Sequence, residues 1–371
     1  MNKYPSYFIS DKIDDDTNII WFEKSNKYII VNDLLNNIIL NKIDQNKYSL
    51  NRLLLKNNKV NSITLKNILN DVDLLLKECN EDLDCKNQNE IISNNKQYSI
   101  SSKFKFNERV VKIEYSSENL RNLIDPKFIH LKSEEDEDIV FKVQEKNKKI
   151  YLFKEEEFTG NWGVSEMHEF QGKISMELTS FFHNMVDSDW TAVFHGSTLS
   201  QESNSVMLTG DSGSGKSSLS AILMANNFSL IADDFSPMSK QRLHYNFPSA
   251  ISLKKGFYGE AEKLFKSFSE LNEYYINEIK GNVKYLPRNK NQLILNTRCH
   301  KVLNVKFGKN LKNEIKMVNK GKALENILPD AWISRDIKHA KSFINWVNSS
   351  LFYNLTYNDN NKALKMIKEI F

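Results

Sequence analysis

The residues best suited to chemistry sit in one short stretch. Gly210, Asp211, Ser212, Gly213, Ser214, Gly215, Lys216 and Ser217 form a complete G-x-x-x-x-G-K-[ST] pattern behind the apolar run Val206 to Thr209. Backbone N–H groups can turn inward on a phosphate chain only where the chain reaches angles that a Cβ forbids, so glycine is required there. Lys216 can then reach the β and γ oxygens, and the Ser217 hydroxyl can ligate Mg²⁺. A helix opening at Ser217 and Ser218 would aim its positive end at the same anion. The chain has 12 glycines, none before Gly160, yet three fall in positions 210–215. The plain alternative is a glycine-rich turn between strand and helix. The strand candidate before it and the apolar helix candidate after it (Leu219, Ile222, Leu223) favour phosphate binding.

Shortly downstream, the apolar run Leu230-Ile-Ala ends in Asp233 and Asp234. Two carboxylates at a strand end beside a phosphate loop suit phosphoryl transfer. One can hold Mg²⁺ through water, and the other can accept a proton from an attacking hydroxyl. Strand alternation would send the two side chains opposite ways, leaving one of them free to be structural. The assignment leans to Asp234 as base and Asp233 on the metal side. His195, just before the strand that feeds the loop, is either a site residue or a hydrogen-bonded core histidine. Arg242, Arg288 and Arg298 are candidates for a γ-phosphate contact, with a surface ion pair as the alternative for each. Lys254 and Lys255 read as a solvated pair, His168 and His183 as solvent-facing or structural, and Trp332, Phe343, Trp346 and Val347 as core.

The elements that must position these groups divide the chain into three parts. In residues 1–80, Asn18 to Trp21 and Tyr28 to Val31 read as a hairpin, followed by helical stripes at Leu34, Leu35, Ile38, Ile39 and at Leu65 to Leu76. This part is either a compact peptide-recognition module or a cap on the catalytic domain. Residues 81–97 are polar and Asn-rich, a linker. Residues 98–371 open with β-prone runs at Val110 to Tyr115, Ile139 to Val143 and Lys149 to Phe153, and then enter the nucleotide segment. Pattern and order predict a mixed α/β fold.

Bulk composition narrows the partners. A formal charge of +4 from 51 basic and 47 acidic residues gives no reason to expect nucleic acid. No apolar run is long enough to span a membrane, and the N-terminus lacks a signal-peptide core. Cys79, Cys85 and Cys299 show no metal-ligand spacing, so a reduced, cytoplasmic protein is expected.

Residues 194–238, FHGSTLSQESNSVMLTGDSGSGKSSLSAILMANNFSLIADDFSPM, resemble the core of the HPr kinase/phosphorylase-like proteins: a His-Gly pair, a strand, GDSGxGKS, a helix, and a strand ending in two Asp. The resemblance implies a phosphoenolpyruvate-carboxykinase-like P-loop domain that uses ATP and Mg²⁺, with His195 near the phosphates. Pro248 to Gly256 and the closing segment from Phe352 also look familiar. The chain departs from the family in lacking a Glu-Ile-Arg-Gly segment and in carrying Ser218 where Glu is usual, which puts phosphorolysis and HPr itself in doubt. The N-terminal residues resemble PqqD-type modules in pattern, which would make a ribosomally made precursor peptide the substrate, paired along a strand edge. The leading expectation is an Mg²⁺-dependent kinase moving the γ-phosphate of ATP to a hydroxyl, a serine of a protein or peptide. A nucleotide-binding adaptor without turnover, or a kinase for free serine or a similar metabolite, are the alternatives.

Overall fold

The computed structural model describes residues 5, 7–44, 62–82, 98–278, 280–288 and 293–371. The expected linker, 81–97, lies outside the described residues apart from its first two positions. The fold is mixed α/β, with five sheets among the described residues.

A six-stranded sheet carries the glycine loop. Its order is Ser229–Ala232, Ser197–Gln201, Asn204–Thr209, Lys301–Phe307, Leu351–Tyr357 and Glu314–Met317. The central three strands run parallel. Parallel strands with both faces covered read as continuous apolar runs, and here the alternate residues go to different cores. Val206, Leu208, Leu303 and Leu355 pack under the helices Lys216–Ala225 and Asn360–Ile370, while Met207, Val302 and Phe352 pack on the opposite face against Ile337–Ser349. Phe343, Trp346 and Val347 of that last helix are buried as expected, but Trp332 is 51% exposed. It belongs to the two-residue edge strand Trp332–Ile333, ahead of the Asp336 cap, so helical spacing does not apply to it.

A second sheet (Asn296–Arg298, Leu243–Tyr245, Ser236–Ser239, Trp190–Phe194, Trp332–Ile333) is antiparallel and adjoins the first. The chain crosses from one to the other at Asp233 and Asp234. Residues 293–295 carry no strand, and pairing begins at Asn296. Pro248 likewise lies ahead of its strand, Ile251–Lys254. Upstream, a five-stranded sheet spanning Ile100 to Gly163 packs on the helix Met167–His183 through Phe141, Leu152, Phe170, Ile174 and Phe182.

The N-terminal strands Phe8–Asp14, Thr17–Phe22 and Lys27–Asn32 form an antiparallel sheet of three, one more than a hairpin. In the central strand, Ile20 and Phe22 face the helices Asp33–Ile43 and Ser62–Cys79, while Ile19 and Trp21 share a core with Phe194, Phe343 and Trp346. The Asp14 carboxylate accepts from the Lys320 and Gly321 N–H groups at 2.7 and 3.3 Å, and the Asn26 amide donates to Ile333 O at 2.8 Å. The first two bonds tie the sheet to the start of the helix Lys320–Ile327, and the third ties it to the edge strand Trp332–Ile333.

Candidate phosphoryl-transfer site

The loop after Asn204–Thr209 is shaped by three glycines at positive φ: Gly210 at +132°, Gly213 at +83° and Gly215 at +101°. A Cβ on Gly210 would lie 2.7 Å from Val305 O, and one on Gly215 would lie 3.0 Å from Tyr357 Oη. Side chains are therefore barred at both points by angle and by space. The helix Lys216–Ala225 begins at left-handed Gly215 with no side-chain cap, whereas Asn32, Asn319, Asp336 and Asp359 cap theirs. The first N–H groups of an uncapped helix have no intrahelical partner and suit an anion. The Lys216 ammonium donates to Gly210 O at 2.5 Å and Asp211 O at 3.1 Å, so it lies along the inside of the loop. Burial pulls its pKa down, against the opposing pull of Asp234 and Asp233.

Ser217 and Asp233 face each other. The Ser217 hydroxyl lies 3.2 and 3.4 Å from the two carboxylate oxygens of Asp233. Ser197 also donates to Asp233, at 2.5 Å. Asp233 is only 2% exposed. Burial and the neighbouring Asp234 push its pKa up to about 6, against hydrogen bonds from Ser197, Ser217 and the Ser252 backbone. A hydroxyl and a carboxylate side by side are the hard oxygen donors that Mg²⁺ takes when it keeps most of its shell for water and phosphate, so the donor set fits that ion.

Asp234 points elsewhere, for a reason other than strand alternation. The strand ends at Ala232, and Asp234 takes a left-handed φ of 65° that turns its carboxylate away from its neighbour. Its Oδ1 lies 3.2 Å from His195 Nδ1, and its Oδ2 lies 3.9 Å from Lys280 Nζ. Burial raises its pKa, but His195, Lys280, Lys127 and Lys216 together outweigh burial and hold the carboxyl below its ordinary value. The side chain is enclosed by protein yet 47% accessible, because the space it meets is a cavity.

Two cavities meet at this point. The larger, about 400 Å³, runs from the loop (Ser212, Gly213, Gly215 to Ser218) past Lys254 to the aromatic side chains of Phe257, Phe307 and Tyr357. The smaller, about 230 Å³, lies on the far side, toward Lys127 and the helix Met167–His183. His195, Asp234, Ser252 and Lys280 line both.

The three arginines lie apart from these walls. Arg288 donates to Phe247 O at 2.5 Å, to Ser249 O at 3.3 Å and to the Asn246 side chain, and is a half-buried clamp on that loop. Arg298 ends an edge strand, Arg242 sits in a left-handed turn, and neither lines either cavity. Lysines stand where an arginine was sought. His183 bonds to Asn246 O at 2.7 Å, but His168, read as solvent-facing or structural, lines the smaller cavity. Sequence reasoning missed Lys127, Ser197, Ser252, Lys280, Phe307 and Tyr357. Ser197 stood two residues past His195 on a strand flanking the loop strand, which was a usable signal; Lys127, in a short turn far upstream, gave none.

No family model matches the chain, and no curated protein does. Among solved structures the chain is similar to the HPr(Ser) kinase/phosphatase from Coxiella burnetii, at 12% identity over 48% of this chain and 93% of that one. The TM-score is 0.23, too low for the overlap to weigh on fold or activity.

Proposed function

We propose that this protein is an Mg²⁺-dependent kinase that moves the γ-phosphate of ATP to a hydroxyl, with serine in a protein or peptide as the acceptor class the sequence resemblance implies. One observation carries the reading: the phosphate loop, the Ser217–Asp233 pair and the Asp234–His195 pair converge where two cavities join. A nucleotide would lie in the larger cavity, its phosphates on the loop N–H groups and Lys216, its base among Phe257, Phe307 and Tyr357. Ser217 and Asp233 would hold Mg²⁺, which when bound neutralises charge on the phosphates.

The acceptor hydroxyl enters from the smaller cavity. Asp234, anionic at neutral pH, accepts the hydroxyl proton while His195 and Lys280 fix its orientation. The acceptor oxygen forms a bond to the γ-phosphorus, the bond to the β-γ bridging oxygen breaks, and ADP leaves. Lys216 and Lys280, which both line the larger cavity, would offset the charge spread over the oxygens of the transferred group, and positioning would supply much of the acceleration.

Mass spectrometry of serine-containing peptides and of free serine after incubation with Mg²⁺-ATP tests this. A gain of one phosphate in wild type, absent in Lys216→Ala, is the expected result. Tight nucleotide binding with no phosphate on any acceptor would favour an adaptor instead.

A further inference from the structure

The smaller cavity has a chemistry of its own. Its volume of about 230 Å³ is enough for a serine-sized molecule or one side chain. Its lining mixes polar side chains, among them Lys127, His168, Gln171 and Ser175, with the aromatic rings of Phe235, Phe247 and Tyr285. Gly172 leaves the helical wall open, since a Cβ there would meet nothing within 4 Å.

The charges are laid out in order. Asp234 and His195 stand at the junction with the phosphate cavity. Lys127 stands in the same cavity, at the end of the turn Asp125–Lys127, with its backbone carbonyl fixed by Ala250 N–H at 2.8 Å. Its charge is felt at both aspartates, and burial works against it. A half-buried ammonium lining a small polar chamber is best satisfied by an anion. The two aspartates are engaged by Ser197, Ser217 and His195, and lie at the chemical end.

Resting on the kinase reading above, we propose that this chamber selects an acceptor whose hydroxyl stands within a few bonds of a carboxylate: the hydroxyl meets Asp234 and the carboxylate meets Lys127. Two sources carry that chemistry, a free serine-type hydroxy acid and a serine flanked by acidic residues in a peptide. Lys127 is a specificity residue, and Gly172 keeps the chamber open.

The test compares serine with serinamide, and serine peptides having acidic flanks with peptides having neutral flanks, as acceptors of phosphate from Mg²⁺-ATP. Wild type should favour the carboxylate-bearing member of one pair by about 10- to 100-fold in kcat/KM, the worth of a hydrogen bond to a charged group. The preferred pair identifies the source. Lys127→Gln should abolish the preference chiefly through KM, and Lys127→Arg should restore part of it. Gly172→Leu, whose side chain has room to extend into the chamber, should block the acceptor without touching the phosphate loop; thermal unfolding checks that each variant folds. Equal use of acid and amide, or a preference that survives Lys127→Gln, overturns the inference while leaving the kinase reading intact. If no phosphate moves at all, calorimetric titration of serine and of the acidic peptide into the ADP-bound protein decides. Binding lost in Lys127→Gln keeps the chamber and sinks the kinase; no binding sinks both.

Discussion

At the scale of single residues, adjacent aspartates acquire different roles from different surroundings. Asp233 is buried among hydroxyls and held near pH 6, while Asp234 is held low by His195 and lysines. Asp233→Asn removes a charged oxygen donor beside Ser217. It should raise the Mg²⁺ concentration needed for half-maximal nucleotide binding by about 10- to 100-fold, measured by fluorescent-nucleotide titration. A second residue reports on pH. His244 is fully buried, its Nδ1 3.1 Å from Ser236 Oγ and its Nε2 without a partner among the described residues, and burial lowers its pKa from 6.5 to about 3. Between those values the unfolded chain binds a proton that the folded chain refuses, so stability contributed above pH 6.5 is lost as pH falls toward 3. The loss approaches about 5 kcal/mol at the acid end. Chemical denaturation of wild type and His244→Phe at several pH values should show a shallower acid decline in the variant; parallel declines would contradict this.

At the scale of elements, the glycine loop depends on backbone angle. Gly215→Ala should weaken nucleotide binding by more than tenfold, because it adds steric strain of about 1–3 kcal/mol where φ is +101°. Gly321→Ala tests a different contact. Its Cβ would sit 2.7 Å from Thr17 Cγ2, so the helix Lys320–Ile327 must back away from the N-terminal sheet. It should cost about 1–3 kcal/mol in a denaturation curve and leave nucleotide affinity alone. Much at this scale was legible in the sequence. The strand before the loop and the helix after it follow from apolar pattern and turn residues, while the closing segment from Phe352 was matched through the family resemblance. Other features were illegible for physical reasons. The split of Asp233 from Asp234 is set by one left-handed residue beyond a strand end, which a period-two pattern does not encode. Trp332 shares apolar spacing with a helix it precedes, and spacing alone carries no boundary. Lys127 lines the cavity because its turn is joined to Ala250, more than a hundred residues downstream, through a backbone bond, and no local pattern records that contact.

At the scale of the whole molecule, the run Ile19 to Phe22 is apolar at every position because each face of its strand is covered, one by local helices and the other by the core around Trp346. A continuous run of that kind is the mark of a strand buried on both sides. The shared core predicts that the N-terminal sheet and the cleft melt together. Trp21→Ala should lower stability by about 3–5 kcal/mol, with aromatic circular dichroism and loss of nucleotide binding moving in step; two separated transitions would contradict this. The account's central claim is that phosphate leaves the loop for a hydroxyl held at Asp234. The most direct test is a single-turnover transfer assay from Mg²⁺-ATP, run on wild type and Asp234→Asn at saturating nucleotide with affinity measured in parallel. The account predicts transfer in wild type, and near-equal affinity with transfer slower by about 10²- to 10⁴-fold in the variant. A variant that transfers as fast as wild type, or a wild type that binds nucleotide and phosphorylates no hydroxyl, would contradict it.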